Sequence, residues 1–221
     1  MEYFSVIAIT PPQPVPDEAA VIAHMIDSGV VNRVHLRHPD ASFDTVRAIV
    51  NAIPERLQLF VSVHSPHEQA TIGTRMGVHF NSHAPRSVDN ALNKAGLTDR
   101  IDTDDVGLTR SCHSIDQVMD CDGYDYYFLS PFYDSISKPG YKAAVDLDNP
   151  MLPVMQLLRT VIPLGGITPD KFGELMDNGF CGAAMLGYMW PMTDDGRVDM
   201  AQMDSRLETI RKICTDLDSN S

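Results

Sequence analysis

The 221-residue chain is 43% hydrophobic and 21% charged, which is typical of a globular protein and excludes disordered, collagen-like and low-complexity classes. Its 17 Lys and Arg against 30 Asp and Glu give a formal net charge of −13. Because such a field repels phosphate backbones and anionic headgroups, we expect no nucleic-acid and no membrane partner. The sequence shows no signal-peptide pattern and no apolar stretch of roughly 18 residues, so we predict a cytoplasmic protein.

The first half of the chain alternates short apolar runs with helix-like segments. Strands are predicted over residues 4–10, 30–37, 57–63 and 77–80, because short continuous apolar runs are typical of parallel strands buried on both faces. Helices are predicted from an N-cap at Asp17 to Gly29, over 42–52, and from about Pro66. The two kinds of segment therefore follow one another as βα units.

The second half keeps this alternation, with strands predicted over 106–112, 124–130, 160–166 and 181–187. Helices are predicted over 114–121, 150–159 and 200–217, and from Thr168-Pro169-Asp170. Segment 84–104 has poor helical periodicity and is predicted to be an exposed loop. Eight βα units predict an α/β protein with a (β/α)8 TIM barrel, a single domain over residues 1–221. A doubly wound open sheet is the alternative, although no G-x-G-x-x-G follows the first strand.

Polar side chains stand at the ends of several predicted strands, namely Arg37, His64, His79, Ser111 and His113. Since parallel strands are normally rich in Val, Ile and Leu, and barrels carry their chemistry where strands end, these residues predict a polar pocket. A structural role, with the ring donating to a nearby carbonyl, is the alternative for each histidine. The four cysteines lack C-x-x-C spacing and His64 with His67 lacks the H-E-x-x-H pattern, so we predict no metal site.

Glycines and one loop indicate where an anion binds. Gly165 and Gly166 end the seventh predicted strand and Gly187 ends the eighth, where TIM barrels commonly hold phosphate on backbone N–H groups. Turn geometry alone is the alternative explanation for these glycines. The loop over residues 130–141 carries hydroxyls and a single cation, Lys138, which favours a lid over an anionic group rather than a disordered surface loop.

Six segments together resemble the thiamine phosphate synthase/TenI family: VHLR at 34, GVHFN at 77, SCHSIDQV at 111, SPFYDSISK at 130, LGGIT at 164 and GAAMLG at 182. The resemblance spans roughly residues 4–190 and implies a (β/α)8 barrel. Synthases of that family use magnesium to join a pyrimidine diphosphate to a thiazole phosphate, releasing pyrophosphate. TenI-type members bind thiazole phosphate and, where active, shift its tautomer without metal.

The resemblance also implies roles for particular residues. It places substrate and phosphate contacts at Arg37, Ser111, Ser135, Ser137, Lys138, Gly166, Leu186 and Gly187, and the motif histidine at His113.

The chain departs from the synthase motifs where their charged groups stand. His35 replaces the glutamine and Pro39 the lysine of the synthase motif Q-L-R-x-K. His64-Ser65 lies where the N-D pair of synthases is expected, and the position of a further acidic residue of synthases falls near Ala84, so both carboxylates are missing. Because Mg²⁺ prefers carboxylate oxygens to imidazole, these departures favour a TenI-like thiazole tautomerase with no cofactor. Magnesium is expected only if the chain is instead a synthase.

We therefore expect an isomerase acting on a thiazole phosphate, its small-molecule partner. His113 is the first choice for the group that moves the proton, because the pKa of imidazole lies near neutrality, and His64 and His79 are reserves. The Mg²⁺-dependent transferase is one alternative, and a non-catalytic binder of thiazole or thiamine phosphates is another. Oligomeric state is left open, with a homo-oligomer allowed.

Overall fold

The computed structural model of the protein describes residues 4–133 and 160–220. Its strands are β1 (Ser5–Ile9), β2 (Arg33–Leu36), β3 (Val61–His64), β4 (Gly77–Phe80), β5 (Leu108–Cys112), β6 (Tyr126–Leu129), β7 (Val161–Pro163) and β8 (Gly182–Met185). They pair in parallel in the order β7-β6-β5-β4-β3-β2-β1-β8, and a bridge from Leu164 to Ala184 joins the two ends of the sheet. The predicted (β/α)8 barrel is confirmed.

The helices pack outside this barrel. They are α1 (Glu18–Asp27), α2 (Phe43–Ala52), α3 (Val88–Ala95), α4 (Ile115–Met119), α5 (Phe172–Asp177) and α6 (Met200–Asn220). Short 3-10 helices span Glu55–Phe60, Glu68–Thr71 and Pro169–Lys171. No helix in the described part of the chain is both long and apolar enough to cross a membrane.

Three predicted elements differ from the structure. Segment 84–104 contains α3, a two-turn helix whose apolar residues Val88, Ala91, Leu92 and Ala95 follow a helical period and pack in or against the core, so the prediction of an exposed loop overlooked a short but regular pattern. Residues 57–60 belong to a 3-10 helix, so the third strand begins at Val61. The helix expected from about Pro66 is a single 3-10 turn, Glu68–Thr71. The helix predicted over 150–159 lies outside the described residues.

The residues that begin the predicted helices differ in whether their side chains accept an amide proton. Ser42 accepts from the Thr45 amide and Ser114, a predicted N-cap, from the Gln117 amide, whereas the predicted N-cap Thr168 accepts from none. Asp17 has the expected position, but its backbone is left-handed and its side chain caps no amide. Its carboxylate instead lies 3.2 Å from Arg197, so it ties the start of α1 to the loop before α6.

Two apolar layers and one polar wall make up the buried part of the barrel. Alternate strand residues point outward into the main core beneath the helices, as Val34 and Leu36 do on β2. The residues between them point into the barrel. On one side these are the apolar Ile7, Ile9, Phe128, Ile162 and Ala184, and on the side of β2 to β5 they are the polar His35, Ser62, His64, His79 and Thr109. Because burying a polar group without a hydrogen bond costs free energy, this polar wall requires internal partners.

Candidate functional site

A cavity of about 480 Å³ opens at the carboxyl ends of the strands. We call it the strand-end cavity. It brings together six of the predicted residues, Arg37, His64, His79, Ser111, His113 and Leu186. Ile9, Pro39, Asn81, Ser82, Ser130 and Leu164 also contribute to its lining. Residues more than 100 positions apart in the chain therefore meet where a barrel carries its chemistry.

His113 stands at the mouth of this cavity, just after β5, with an exposed side chain. Its Nδ1 lies 2.7 Å from the backbone carbonyl of Ser130, and its Nε2 lies 3.1 Å from the Ser82 hydroxyl. A carbonyl oxygen only accepts, so Nδ1 carries the ring proton and the neutral ring keeps its lone pair on Nε2. The Ser130 contact therefore fixes the tautomer and aims a basic nitrogen at the cavity.

His64 and His79 form the back of the cavity and are buried. The register of β3 on β4 places them directly opposite each other, and their rings stack with centroids 3.9 Å apart. Both ring nitrogens of His79 meet hydroxyls at 2.8 Å, Nδ1 at Thr109 and Nε2 at Ser111. Ser111 is thus held against His79, and its hydroxyl also lines the cavity.

Sequence reasoning missed His35 and Tyr126. His35 is wholly buried behind His64, with its Nδ1 at 2.9 Å from His64 Nε2 and its Nε2 at 2.6 Å from the Tyr126 hydroxyl. A signal for His35 existed, because it lies two residues before Arg37 and alternate residues of a strand share a face. Tyr126 had no such signal, since its contact depends on how the closed barrel brings β6 opposite β2.

Burial sets the protonation of these three histidines. Desolvation, aided by the positive charge of Arg37, lowers the pKa of His79 to about 3. Desolvation and neighbouring histidines likewise hold the pKa values of His35 and His64 well below the ordinary value. All three rings are therefore neutral at physiological pH and are weak proton acceptors. Of the predicted histidines, only His113 combines exposure with a lone pair directed into the cavity.

Arg37 supplies positive charge at the rim. Its backbone N–H donates to the Thr10 hydroxyl at 2.8 Å, which anchors the backbone where β2 ends. Its guanidinium lines the strand-end cavity and forms no ion pair with any carboxylate of residues 4–133 or 160–220. A half-buried guanidinium with no counter-ion among the described residues is suited to bind an anion.

The predicted phosphate loops lie beside the cavity. Gly165 and Gly166 have φ values of 103° and 69°, which favour glycine. Leu164 and Leu186 line the cavity, whereas Gly165, Gly166 and Gly187 follow them along the chain without joining the lining. The amides of Gly166 and Gly187 donate to no carbonyl in the described part of the chain. Ser135, Ser137 and Lys138 lie outside the described residues.

Carboxylates do not contribute to the described lining of the strand-end cavity. Ala84 lies in a neighbouring cavity of about 500 Å³, and Glu68 lines that cavity too, where it accepts a hydrogen bond from Ser65. His67, considered with His64 in the sequence, instead contacts the carbonyl of His38 at 3.0 Å. Mg²⁺ takes mainly carboxylate and other oxygen ligands, so the described residues of the strand-end cavity do not fit it.

The fold and this cavity define the class of the protein: a (β/α)8 barrel whose polar site lies at the carboxyl ends of its strands. Residues 6–188 match the family model TMP-TENI, described as thiamine monophosphate synthase. The chain therefore belongs to the thiamine phosphate synthase/TenI family.

Solved structures agree with this fold. A thiamine phosphate pyrophosphorylase from Bacteroides thetaiotaomicron shares 21% identity at a TM-score of 0.64, covering 96% of this chain and 98% of that one. Another from Pyrococcus furiosus shares 15% identity at a TM-score of 0.67, covering 98% of both chains. A 3-hexulose-6-phosphate synthase shares 14% identity at a TM-score of 0.57, covering 95% and 99%. No curated protein matches the chain.

Proposed function

We propose that the protein is a TenI-like isomerase that shifts the tautomer of a thiazole phosphate. The observation that carries this proposal is the mouth of the strand-end cavity. There, His113 directs the lone pair of Nε2 into a cavity whose described lining contains a cation, hydroxyls and no carboxylate. Such a lining suits proton transfer on a bound anion better than metal-assisted departure of diphosphate.

The proposed reaction moves one proton between two positions of the substrate. His113 Nε2 takes the proton from the first position, which makes the ring an imidazolium while the electron pair of the broken bond moves into the thiazole. The same Nε2–H then returns the proton at the second position, so the enzyme ends unchanged. Throughout, Nδ1–H stays on the Ser130 carbonyl at 2.7 Å, which holds the ring in place.

The substrate phosphate is proposed to lie on the loops that follow β7 and β8. Support comes from the amides of Gly166 and Gly187, which donate to no backbone carbonyl among residues 4–133 and 160–220, and from Leu186, which connects that loop to the cavity. Arg37 and Ser111 face the remaining polar groups of the substrate in this proposal. Ser135, Ser137 and Lys138 keep the anion-binding role that the family resemblance implies for them.

The Mg²⁺-dependent synthase is the second candidate, favoured by the likeness of fold to two thiamine phosphate pyrophosphorylases. Against it stands the donor set, because His64 and Ser65 lie where a synthase is expected to carry Asn and Asp. A non-catalytic binder would keep the phosphate loops and lose only the proton transfer.

Turnover assays on the purified chain with both substrate sets, each with and without Mg²⁺, separate the three candidates. We expect tautomerisation of a thiazole carboxylate phosphate at a rate that Mg²⁺ leaves unchanged, and no thiamine phosphate. Formation of thiamine phosphate only in the presence of Mg²⁺ would overturn the isomerase in favour of the synthase. Tight binding of the thiazole phosphate without either tautomerisation or thiamine phosphate formation would favour the non-catalytic binder.

A further inference from the structure

The back of the strand-end cavity is a cluster of three histidines on neighbouring strands, His35 on β2, His64 on β3 and His79 on β4. We call it the histidine triad. Its members are 0%, 8% and 1% exposed. One ring nitrogen from each lies within 4.8 Å of the corresponding nitrogens of the other two. The proposed proton transfer at His113 uses none of these nitrogens, so the convergence needs its own explanation.

We propose that the histidine triad binds a divalent transition-metal ion, such as Zn²⁺ or Co²⁺, through one nitrogen of each ring. Zinc–imidazole bonds of about 2.0–2.1 Å in a tetrahedron place the ligand nitrogens roughly 3.3 Å apart. His35 Nδ1 and His64 Nε2 are already 2.9 Å apart, so the cluster reaches this geometry with small side-chain movements. Imidazole nitrogens suit such ions and disfavour Mg²⁺.

The outward nitrogens of two triad members already have suitable partners. His35 Nε2 lies 2.6 Å from the Tyr126 hydroxyl, and His79 Nδ1 lies 2.8 Å from the Thr109 hydroxyl. A metal-binding histidine commonly donates its second ring N–H to an oxygen, which fixes its tautomer and orientation. With these two bonds in place, His35 Nδ1 and His79 Nε2 keep their lone pairs, so His64 Nε2 carries the proton of its 2.9 Å contact with His35 and gives it up to its own Nδ1 or to water when the ion binds.

The fourth coordination position faces the strand-end cavity. His64, His79 and Ser111 all line that cavity, and the Ser111 hydroxyl lies 2.8 Å from His79 Nε2. Three neutral imidazoles bring no negative charge, and the nearby Arg37 adds a positive one. The bound ion therefore leaves the cavity positively charged, and its open position favours water or an anionic oxygen of a ligand, such as a carboxylate.

This inference does not depend on the proposed isomerase, and metal binding itself tests it. The untagged full-length chain, freed of metal with a chelator, is titrated with Co²⁺ while the visible d–d absorption of the ion is followed. We expect one ion per chain, displaced by Zn²⁺. His35→Gln and His64→Gln should abolish this spectrum, and Tyr126→Phe should weaken binding by about 10–100-fold. The matched control His113→Gln changes a histidine of the same cavity outside the triad and should keep full occupancy.

A measurement on the unaltered protein keeps the test decisive if a triad variant fails to fold. In nuclear magnetic resonance spectra, Zn²⁺ should shift the ring signals of three histidines and leave those of His24 and His113 in place. No cobalt spectrum and no shifted ring signals would overturn the site, and would leave the triad as a hydrogen-bonded core. Full binding in both His35→Gln and His64→Gln would equally overturn it.

Discussion

The mouth and the back of one cavity use the same residue type in opposite ways. At the mouth, His113 is exposed, and its Nε2 lone pair accepts from the Ser82 hydroxyl, which lines the cavity as well, so a ligand that displaces this hydroxyl meets a basic nitrogen. At the back, His35, His64 and His79 are buried against one another and stay neutral. The comparison teaches that histidine chemistry in this barrel is decided by depth and by the partner of the second nitrogen.

The largest expected effect is the fall in kcat when His113, at the mouth of the cavity, is substituted. His113→Asn keeps a donor for the Ser130 carbonyl but removes the nitrogen that accepts a proton, so kcat should fall by about 10²–10⁴-fold with little change in binding. The matched control His24→Asn makes the same change on the outside of α1, where the ring pairs with Asp204, and should leave kcat unaltered. Steady-state kinetics measure both variants. A near-normal kcat in His113→Asn would make this histidine structural and place the proton carrier elsewhere.

The next effect concerns the loop after β8, which is proposed to bind the phosphate. Gly187→Asp should abolish binding of the thiazole phosphate, because a carboxylate within about 4 Å of the phosphate costs about 4 kcal/mol at an effective dielectric constant near 20. Nothing lies within 4 Å of a Cβ added at Gly187, so both Gly187→Asp and the control Gly187→Ala should fold. Calorimetry with circular dichroism checks this. Equal affinities in the folded variants would remove this loop from the site.

A smaller effect is expected for Lys138, whose charge is proposed to hold an anion in the ground state and the transition state alike. Lys138→Ala should then raise KM by about 10-fold and leave kcat largely intact, since the lost contact is worth roughly 1.4 kcal/mol in both states. Lys138→Arg, which keeps the charge, serves as the control. The opposite pattern, a fall in kcat at constant KM, would move Lys138 from binding to chemistry.

The histidines at the back of the cavity should affect the free energy of unfolding and its pH dependence rather than the reaction rate. His79 stays neutral when folded down to pH about 3, whereas the unfolded chain protonates it below about pH 6.5, in surroundings free of Arg37, His35 and His64. The unfolded state therefore binds more protons between these values, so stability is lost as pH falls through this window and is unaffected above it.

Urea unfolding of the chelator-treated protein at pH 5 and pH 6 measures this effect. His79→Gln removes the proton and should reduce the pH dependence of the unfolding free energy by about 1 kcal/mol per pH unit relative to the unaltered chain. Identical slopes for His79→Gln and the unaltered chain would mean that His79 titrates normally.

The sequence predicts the barrel better than it predicts the site. Strands buried on both faces appear as apolar runs whatever their partners, so each of the eight was found, although 57–60 shifted into a 3-10 helix. The mouth was also predictable, because Ser111 and His113 stand at a strand end. His64 and His79 were predicted too, whereas the contact of His35 with Tyr126 was not, since it joins residues 91 positions apart. Only closure of the barrel, which no local pattern encodes, brings them together.

The apolar side of the barrel interior has a consequence for how this protein could diversify. Ile9, Leu164 and Leu186 extend that side into the strand-end cavity, and none of them takes part in the histidine hydrogen bonds. Substitutions among Leu, Ile, Val and Met at these three positions would reshape the space for a ring substituent while leaving the proton-handling groups in place. If the proposed function holds, ligand preference and proton transfer are therefore separable traits, and a library restricted to these three positions would explore the first without changing the residues proposed for the second.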